Sequence, residues 1–196
     1  MKLVLASQSA SRRAMLTAAG VPFEAIAAPI DEAAVKAVLA PIEPRDLADR
    51  LAELKALKGS ALRPDALVLG SDSIAALADG RLLDKPESRA EAHDHLAAMS
   101  GTMIRLISAA VIARGGVAEW RHVEVARLHV RQLSDAFLES YLDAEWPAIA
   151  GCAGAFRIEG PGVQLFDRIE GDQFTIMGMP MIAVLGHLRA RGVMVG

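Results

Sequence analysis

Hydrophobic and polar positions alternate along this chain between short apolar runs and helical spacing, and the switches mark out most of its elements. The chain opens on an apolar run, Lys2–Ala6, of the length of a buried strand. The segment behind it has helical character and is closed by Gly20. Phe23–Ala27 predicts a second strand, leading to Pro29, Ile30, Asp31 and Glu32. Leucines 47, 51 and 54 recur at helical spacing between Asp46 and Leu57, with Lys55 beside the last. Ala66–Gly70 reads as a buried strand that ends at Ser71, Asp72 and Ser73. Ile74–Leu77 and Leu82–Leu83 flank a turn-rich tetrad around Gly80 and predict a hairpin. Ser88 and Glu91 have the spacing of a capping box for a helix that stops near Gly101. The runs Ile104–Ala113 and Trp120–Arg131, joined through Gly115 and Gly116, predict an antiparallel pair. A helix is expected from Ser134 with Phe137, Leu138, Tyr141 and Leu142 inward, and a last one after Pro180 on Met181, Val184, Leu185 and Leu188.

Helices interspersed with crossover-type and hairpin-type strands predict an α/β fold with a mixed sheet. No repeat or linker divides the 196 residues, which suit one domain or one compact domain with a modest lobe. Hydrophobic residues make up 53% and aromatics 4%, so the core is built from Leu, Val, Ile and Ala. So few rings leave no stacking platform for single-stranded nucleic acid, and a net charge of -3 gives no electrostatic footprint for a duplex. A polyanionic ligand must therefore be held by locally clustered cations. One cysteine excludes an intrachain disulfide and suits a reducing compartment. The apolar runs are too short to span a bilayer and no signal peptide is expected, so the sequence reads as soluble and cytoplasmic.

Candidate chemistry clusters at the polar breaks. Ser7, Ser9, Ser11, Arg12 and Arg13 fall at the first strand-to-helix turn, where unpaired N–H groups and arginine forks suit phosphate. The competing reading is an N-cap serine with two solvated arginines. Asp72 follows an apolar strand, where open α/β sheets place ligands; it can hold a cation or take a proton from water, or simply brace a turn. Asp31 and Glu32 could share Mg²⁺ with substrate oxygens or serve as helix N-terminal acids. Lys55 and Lys85 are notable because lysine is scarce, and Pro86 constrains the second. His93 and His95 are two apart and make poor joint ligands. Cys152 reads as a small buried thiol and Met177–Met181 as core filling. The chain has no Walker loop, dinucleotide fingerprint or zinc spacing.

Taken in order, these segments resemble the Maf family of nucleoside triphosphate pyrophosphatases. The features that carry it are Ser7, Ser9, Arg12 and Arg13 after the first strand, Asp31-Glu32, Lys55-Ala56, Gly70-Ser71-Asp72, Lys85-Pro86 and Ser100-Gly101. Later come Cys152 through Glu159-Gly160 and Ile169 through Pro180. The resemblance covers essentially the whole chain. It implies an α/β fold, Maf or ITPase-like, with a mixed elongated sheet flanked by helices and a deep central cleft, as one domain over 1–196. It implies cleavage of a nucleoside triphosphate between the α and β phosphates, a divalent cation (Mg²⁺ or Mn²⁺), no nucleic-acid or membrane partner, and a homodimer. On this resemblance Asp72 is the catalytic carboxylate and, with Glu32, the metal ligand, while Ser7, Ser9, Arg12, Arg13, Lys55 and Lys85 hold the substrate. Ser11, Ser73 and Glu159 then bear on base choice. The run from Cys152 to Gly160 looks like the 7-methyl-GTP branch, with Glu159 accepting hydrogen bonds from guanine. Ser11 and Ser73 depart from that branch, which usually has Trp and Gln there. The alternatives are a dTTP- or UTP-preferring enzyme of the same family, or a non-enzymatic nucleotide-binding regulator of septum formation.

Overall fold

The computed structural model describes residues 2–195. Its elements are β1 (Leu3–Ala6), α1 (Ala10–Ala18), β2 (Glu24–Ile26), α2 (Glu32–Leu39), α3 (Pro44–Leu62), β3 (Leu67–Leu77), β4 (Leu82–Leu83), α4 (Arg89–Met99), β5 (Met103–Arg114), β6 (Val117–Val130), α5 (Asp135–Glu145), a 3-10 helix (Pro161–Leu165), β7 (Phe166–Glu170), α6 (Gln173–Met177) and α7 (Met181–Ala190). They form a mixed α/β fold with a seven-stranded sheet in the order β2-β1-β3-β5-β6-β7, with β4 paired to β3. β1 runs parallel to β2 and β3, with Val4 opposite Glu24 and Val68. β4 and β7 are antiparallel to their partners.

Most expected elements form, and their ends follow from side chains. Ser88 accepts from the Glu91 N–H at 3.1 Å, while the Glu91 carboxylate takes the Glu87 N–H rather than that of the cap residue. Ser134 caps α5 through the Phe137 N–H. One boundary differs in a way that matters. The strand at Ala66–Gly70 does not end at Ser71; β3 runs on to Leu77, so Asp72 lies within a strand rather than beyond its end. The polar triplet reads as a break, but both hydroxyls find partners inside the sheet: Ser71 donates to the Ala109 carbonyl at 2.8 Å and Ser73 lies 2.9 Å from the Ser108 hydroxyl. β7 and α6 had no sequence signal, since each has only five residues and β7 is mostly exposed.

The chain divides into two compact units. The first comprises Met1–Ser73, Ser108–Glu124 and Gly178–Gly196; the second comprises Ile74–Ile107 and Val125–Met177. In the first, Val4, Ala6, Ala28, Ala66 and Val68 form an apolar cluster. There α3 sits unusually close to the sheet, because two glycines remove side chains at the contact. A Cβ on Gly59 would lie 2.7 Å from Val68, and one on Gly70 would lie 2.3 Å from the Ala52 carbonyl oxygen and 2.5 Å from the Ala56 nitrogen. The second unit has its own core, in which Leu96, Met99, Ile104, Leu128 and Leu142 are buried and the rings of Phe156 and Phe166 meet edge to face at 5.0 Å.

The Gly70 contact is with backbone, which cannot rotate away. Gly70→Ala should therefore cost at least about 2 kcal/mol through overpacking. Urea unfolding measures this, and an unchanged midpoint would mean that α3 can retreat freely.

Candidate active site

The turn before α1 is built by its own serines. Ser9 is the N-cap, and its hydroxyl accepts from the Arg12 N–H at 3.4 Å. Ser7 accepts from the Ser9 N–H at 3.2 Å, and Ser11 lies 3.0 Å from the Ser9 hydroxyl. Capping and anion binding need the same place, since both use the unpaired N–H groups and partial positive charge of a helix start. The first turn of α1 contains no acidic residue to offset that charge.

The two arginines diverge. Arg13 turns back toward Gln8, to which it donates at 2.8 Å. Arg12 is buried, at 9% exposure. It donates through Nε to the Gly178 carbonyl at 2.8 Å, through Nη2 to Ser73 at 3.0 Å and through Nη1 to Ser7 at 3.4 Å. Burial pulls its pKa down, while the carboxylates of Asp72 and Glu32 push it up.

Alternation along β3 sorts the neighbouring side chains. Successive residues point to opposite faces, so Ser71 and Ser73 share one face and Gly70 shares the other with Asp72 only in register, at i and i+2. That second face meets α3. Because Gly70 lets Ala52 and Ala56 approach, Lys55 on the same helix reaches Asp72, and the two side chains form a direct ion pair that is 13% and 8% exposed. The same ammonium contacts Glu32 at 2.7 Å. The adjacent acids 31 and 32 thus divide: Asp31 caps α2 by accepting from the Ala34 N–H at 2.9 Å, and Glu32 turns to Lys55. Lys55, Asp72 and Glu32 form one cluster, and the charges of both carboxylates are felt at Arg12.

In the second unit, Lys85 and Glu159 are exposed. The segment bearing Glu159 is tied to α5 by a bidentate pair: Arg157 donates to the nearly buried Glu145 carboxylate at 2.9 and 3.0 Å. The Tyr141 hydroxyl donates to the Ala155 carbonyl at 3.4 Å, and burial, followed by the charge of Glu145, pushes its pKa up. Cys152 is half-buried rather than the small buried thiol expected; that burial still pushes the thiol up, with Glu159 adding to the effect and Arg157 and Lys85 opposing it.

Sequence reasoning passed over Gly178 and Ser108. The signal for the first was the Met177-Gly178-Met179-Pro180 run, which also does what was expected of it, since Met179 and Met181 are buried. Ser108 had no signal, being one hydroxyl inside an apolar strand.

Clustered cations at a helix N-terminus, beside two carboxylates that share an ammonium, define a site suited to a phosphorylated ligand. The chain belongs to the family described as Maf-like protein, whose profile matches residues 2–191. A nucleoside triphosphate pyrophosphatase from Sphingopyxis alaskensis is 51% identical over 195 residues, covering 98% of each chain. One of the same name from Caulobacter vibrioides is 47% identical, over 98% of this chain and 96% of its own. A 7-methyl-GTP pyrophosphatase from Rhizobium etli is 46% identical, over 100% of this chain and 98% of its own. No described helix is long and apolar enough to cross a membrane.

Only the thiolate reacts with an alkylating agent, so an elevated pKa slows the reaction. Cys152 should react with iodoacetamide near neutral pH more slowly than a free cysteine, and urea should abolish the difference. Equal rates in the folded protein would contradict this environment.

Proposed function

We propose that the protein hydrolyses the α–β phosphoanhydride of 7-methyl-GTP, giving the monophosphate and pyrophosphate, with Asp72 as base for the attacking water. Its broader class, nucleoside triphosphate pyrophosphatase, follows from family membership and from relatives of that name aligned over nearly the whole chain. The single observation that carries the mechanism is the convergence of Asp72 and Glu32 on the Lys55 ammonium, within reach of the charge on Arg12.

Phosphoryl transfer asks mainly for positioning and for neutralisation of charge on the phosphate oxygens. Arg12 and Lys55 supply fixed positive charge, and Ser7, Ser9 and the N–H groups of the α1 turn supply hydrogen bonds. We assign Arg13 and Lys85 to the phosphates as well. Asp72 is buried and held in one place by Lys55, so its oxygens have a defined direction. Transfer of the water proton to Asp72 raises the nucleophilicity of the oxygen attacking phosphorus, and pyrophosphate departs.

The donor set fits Mg²⁺ or Mn²⁺. Two hard carboxylate oxygens from Asp72 and Glu32 already converge on one cation, Lys55 Nζ, and substrate oxygens and water complete such a site in many phosphate enzymes. When bound, the ion would screen phosphate charge and acidify water.

For base choice we assign Glu159. A carboxylate accepts from the N1–H and exocyclic amine of guanine, and its charge favours a base made cationic by methylation at N7. The relative from Rhizobium etli named for 7-methyl-GTP is consistent with this.

Pyrophosphate release should be measured over 7-methyl-GTP, GTP, UTP and dTTP with Mg²⁺ or Mn²⁺. We expect 7-methyl-GTP to lead; a pyrimidine preference overturns the substrate assignment, and orthophosphate as first product overturns the bond assignment. Asp72→Asn should lower turnover by at least about a hundredfold, the scale of general-base catalysis, with an unchanged near-UV spectrum. Near-normal turnover in that variant refutes the role of Asp72. Glu159→Gln should change the ratio of 7-methyl-GTP to UTP hydrolysis by about tenfold, and an unaltered ratio sinks the assignment.

A further inference from the structure

The Gly178 carbonyl oxygen is an unusual acceptor. Arg12 Nε lies 2.8 Å from it, the Ser73 hydroxyl 2.9 Å and the Ser71 hydroxyl 3.2 Å. Ser71 has a closer acceptor in the Ala109 carbonyl at 2.8 Å, so the two lone pairs of Gly178 are taken by Arg12 and Ser73. Ser73 has a single proton, which goes to Gly178. It accepts from Arg12 Nη2 at 3.0 Å, and the Ser108 hydroxyl lies 2.9 Å away. Ser108 is fully buried, so its hydroxyl is committed to protein partners.

These contacts occupy one particular edge of the guanidinium. Nε–H and the nearer Nη2–H form its side fork, and both are held by uncharged oxygens. The opposite edge, Nη1 with the second Nη2–H, has only the long 3.4 Å contact to Ser7 among the described residues. That edge is a planar pair of donors of the kind that matches two phosphate oxygens. Neutral acceptors fix the direction of the guanidinium without cancelling its charge, as a bidentate carboxylate would.

Residue 178 must be glycine for this. Its φ is +112°, and a Cβ would lie 3.2 Å from the Ser73 hydroxyl and 3.6 Å from Arg12 Nη2. We propose that Gly178, Ser73 and Ser108 are positioning residues that grip the side fork of Arg12 and present its end fork to the substrate triphosphate. The proposal rests on the reading that Arg12 binds phosphate.

The test is a double-mutant cycle on the full chain. Affinity for inorganic triphosphate is measured by calorimetry, alongside kcat and KM for pyrophosphate release, in Ser73→Ala, Arg12→Lys and the double variant. Loss of a hydrogen bond to a charged group predicts about tenfold weaker triphosphate binding in Ser73→Ala, with KM rising more than kcat falls. Ser73→Thr, which keeps the hydroxyl, should restore binding. In the Arg12→Lys background, Ser73→Ala should have no further effect, because lysine has no fork to aim. Ser108→Ala, which leaves Ser73 and Arg12 in place, should weaken binding in the same direction by a smaller factor. Equal losses from Ser73→Ala in both backgrounds, or no loss in the wild-type background, overturn the positioning role while leaving phosphate binding by Arg12 intact. Unchanged affinity in Arg12→Lys overturns the phosphate reading itself, and the proposal with it.

Discussion

The approach of α3 to the sheet at Gly70 is the constraint on which the site depends. A helix normally packs on a strand through side chains, and the absence of one at residue 70 lets the α3 backbone come close instead. Lys55 is carried inward with the helix, and its ammonium meets a carboxylate from inside β3 and another from the start of α2. Three segments distant in sequence are thus joined by one cation. Without the close approach, Asp72 would be a buried acid with no partner, which a protein interior tolerates poorly.

The two cations Lys55 and Arg12 are held in different ways, and the difference suits different tasks. Lys55 is paired with two carboxylates, and the pair keeps Asp72 in place. Arg12 is held by a carbonyl and hydroxyls, which set its orientation and leave its charge available. An ammonium is a compact point charge that several acids can share, whereas a guanidinium is a planar fork that must be aimed. In the second unit a third cation, Arg157, meets its acid in full bidentate geometry, an arrangement suited to anchoring the Glu159 segment on α5.

Polar residues within strands explain where the pattern of the chain misled. Ser71, Asp72 and Ser73 interrupt an apolar run, and by composition they mark the end of a strand. They remain in β3 because each has a partner from elsewhere: Ala109 for Ser71, Lys55 for Asp72, and Ser108 with Gly178 for Ser73. Asp31 and Glu32 show the converse. Asp31 takes the helix-terminal role, capping α2, while its neighbour Glu32 turns to Lys55, and no local rule says which acid does which.

The sequence by itself determined the order and type of the long elements, the helix starts at Ser88 and Ser134, and the chemical inventory of the site. These are local matters: apolar period, cap spacing and residue type act over a few positions, and motif order carried the family. Only the tertiary structure decided that β3 continues through Asp72, that Lys55 serves two acids, and that a backbone carbonyl at residue 178 holds Arg12. Each of those is a contact between segments 17 to 166 residues apart. Partners at such separations are chosen by packing and by the need to satisfy buried polar groups, neither of which leaves a periodic trace in the chain.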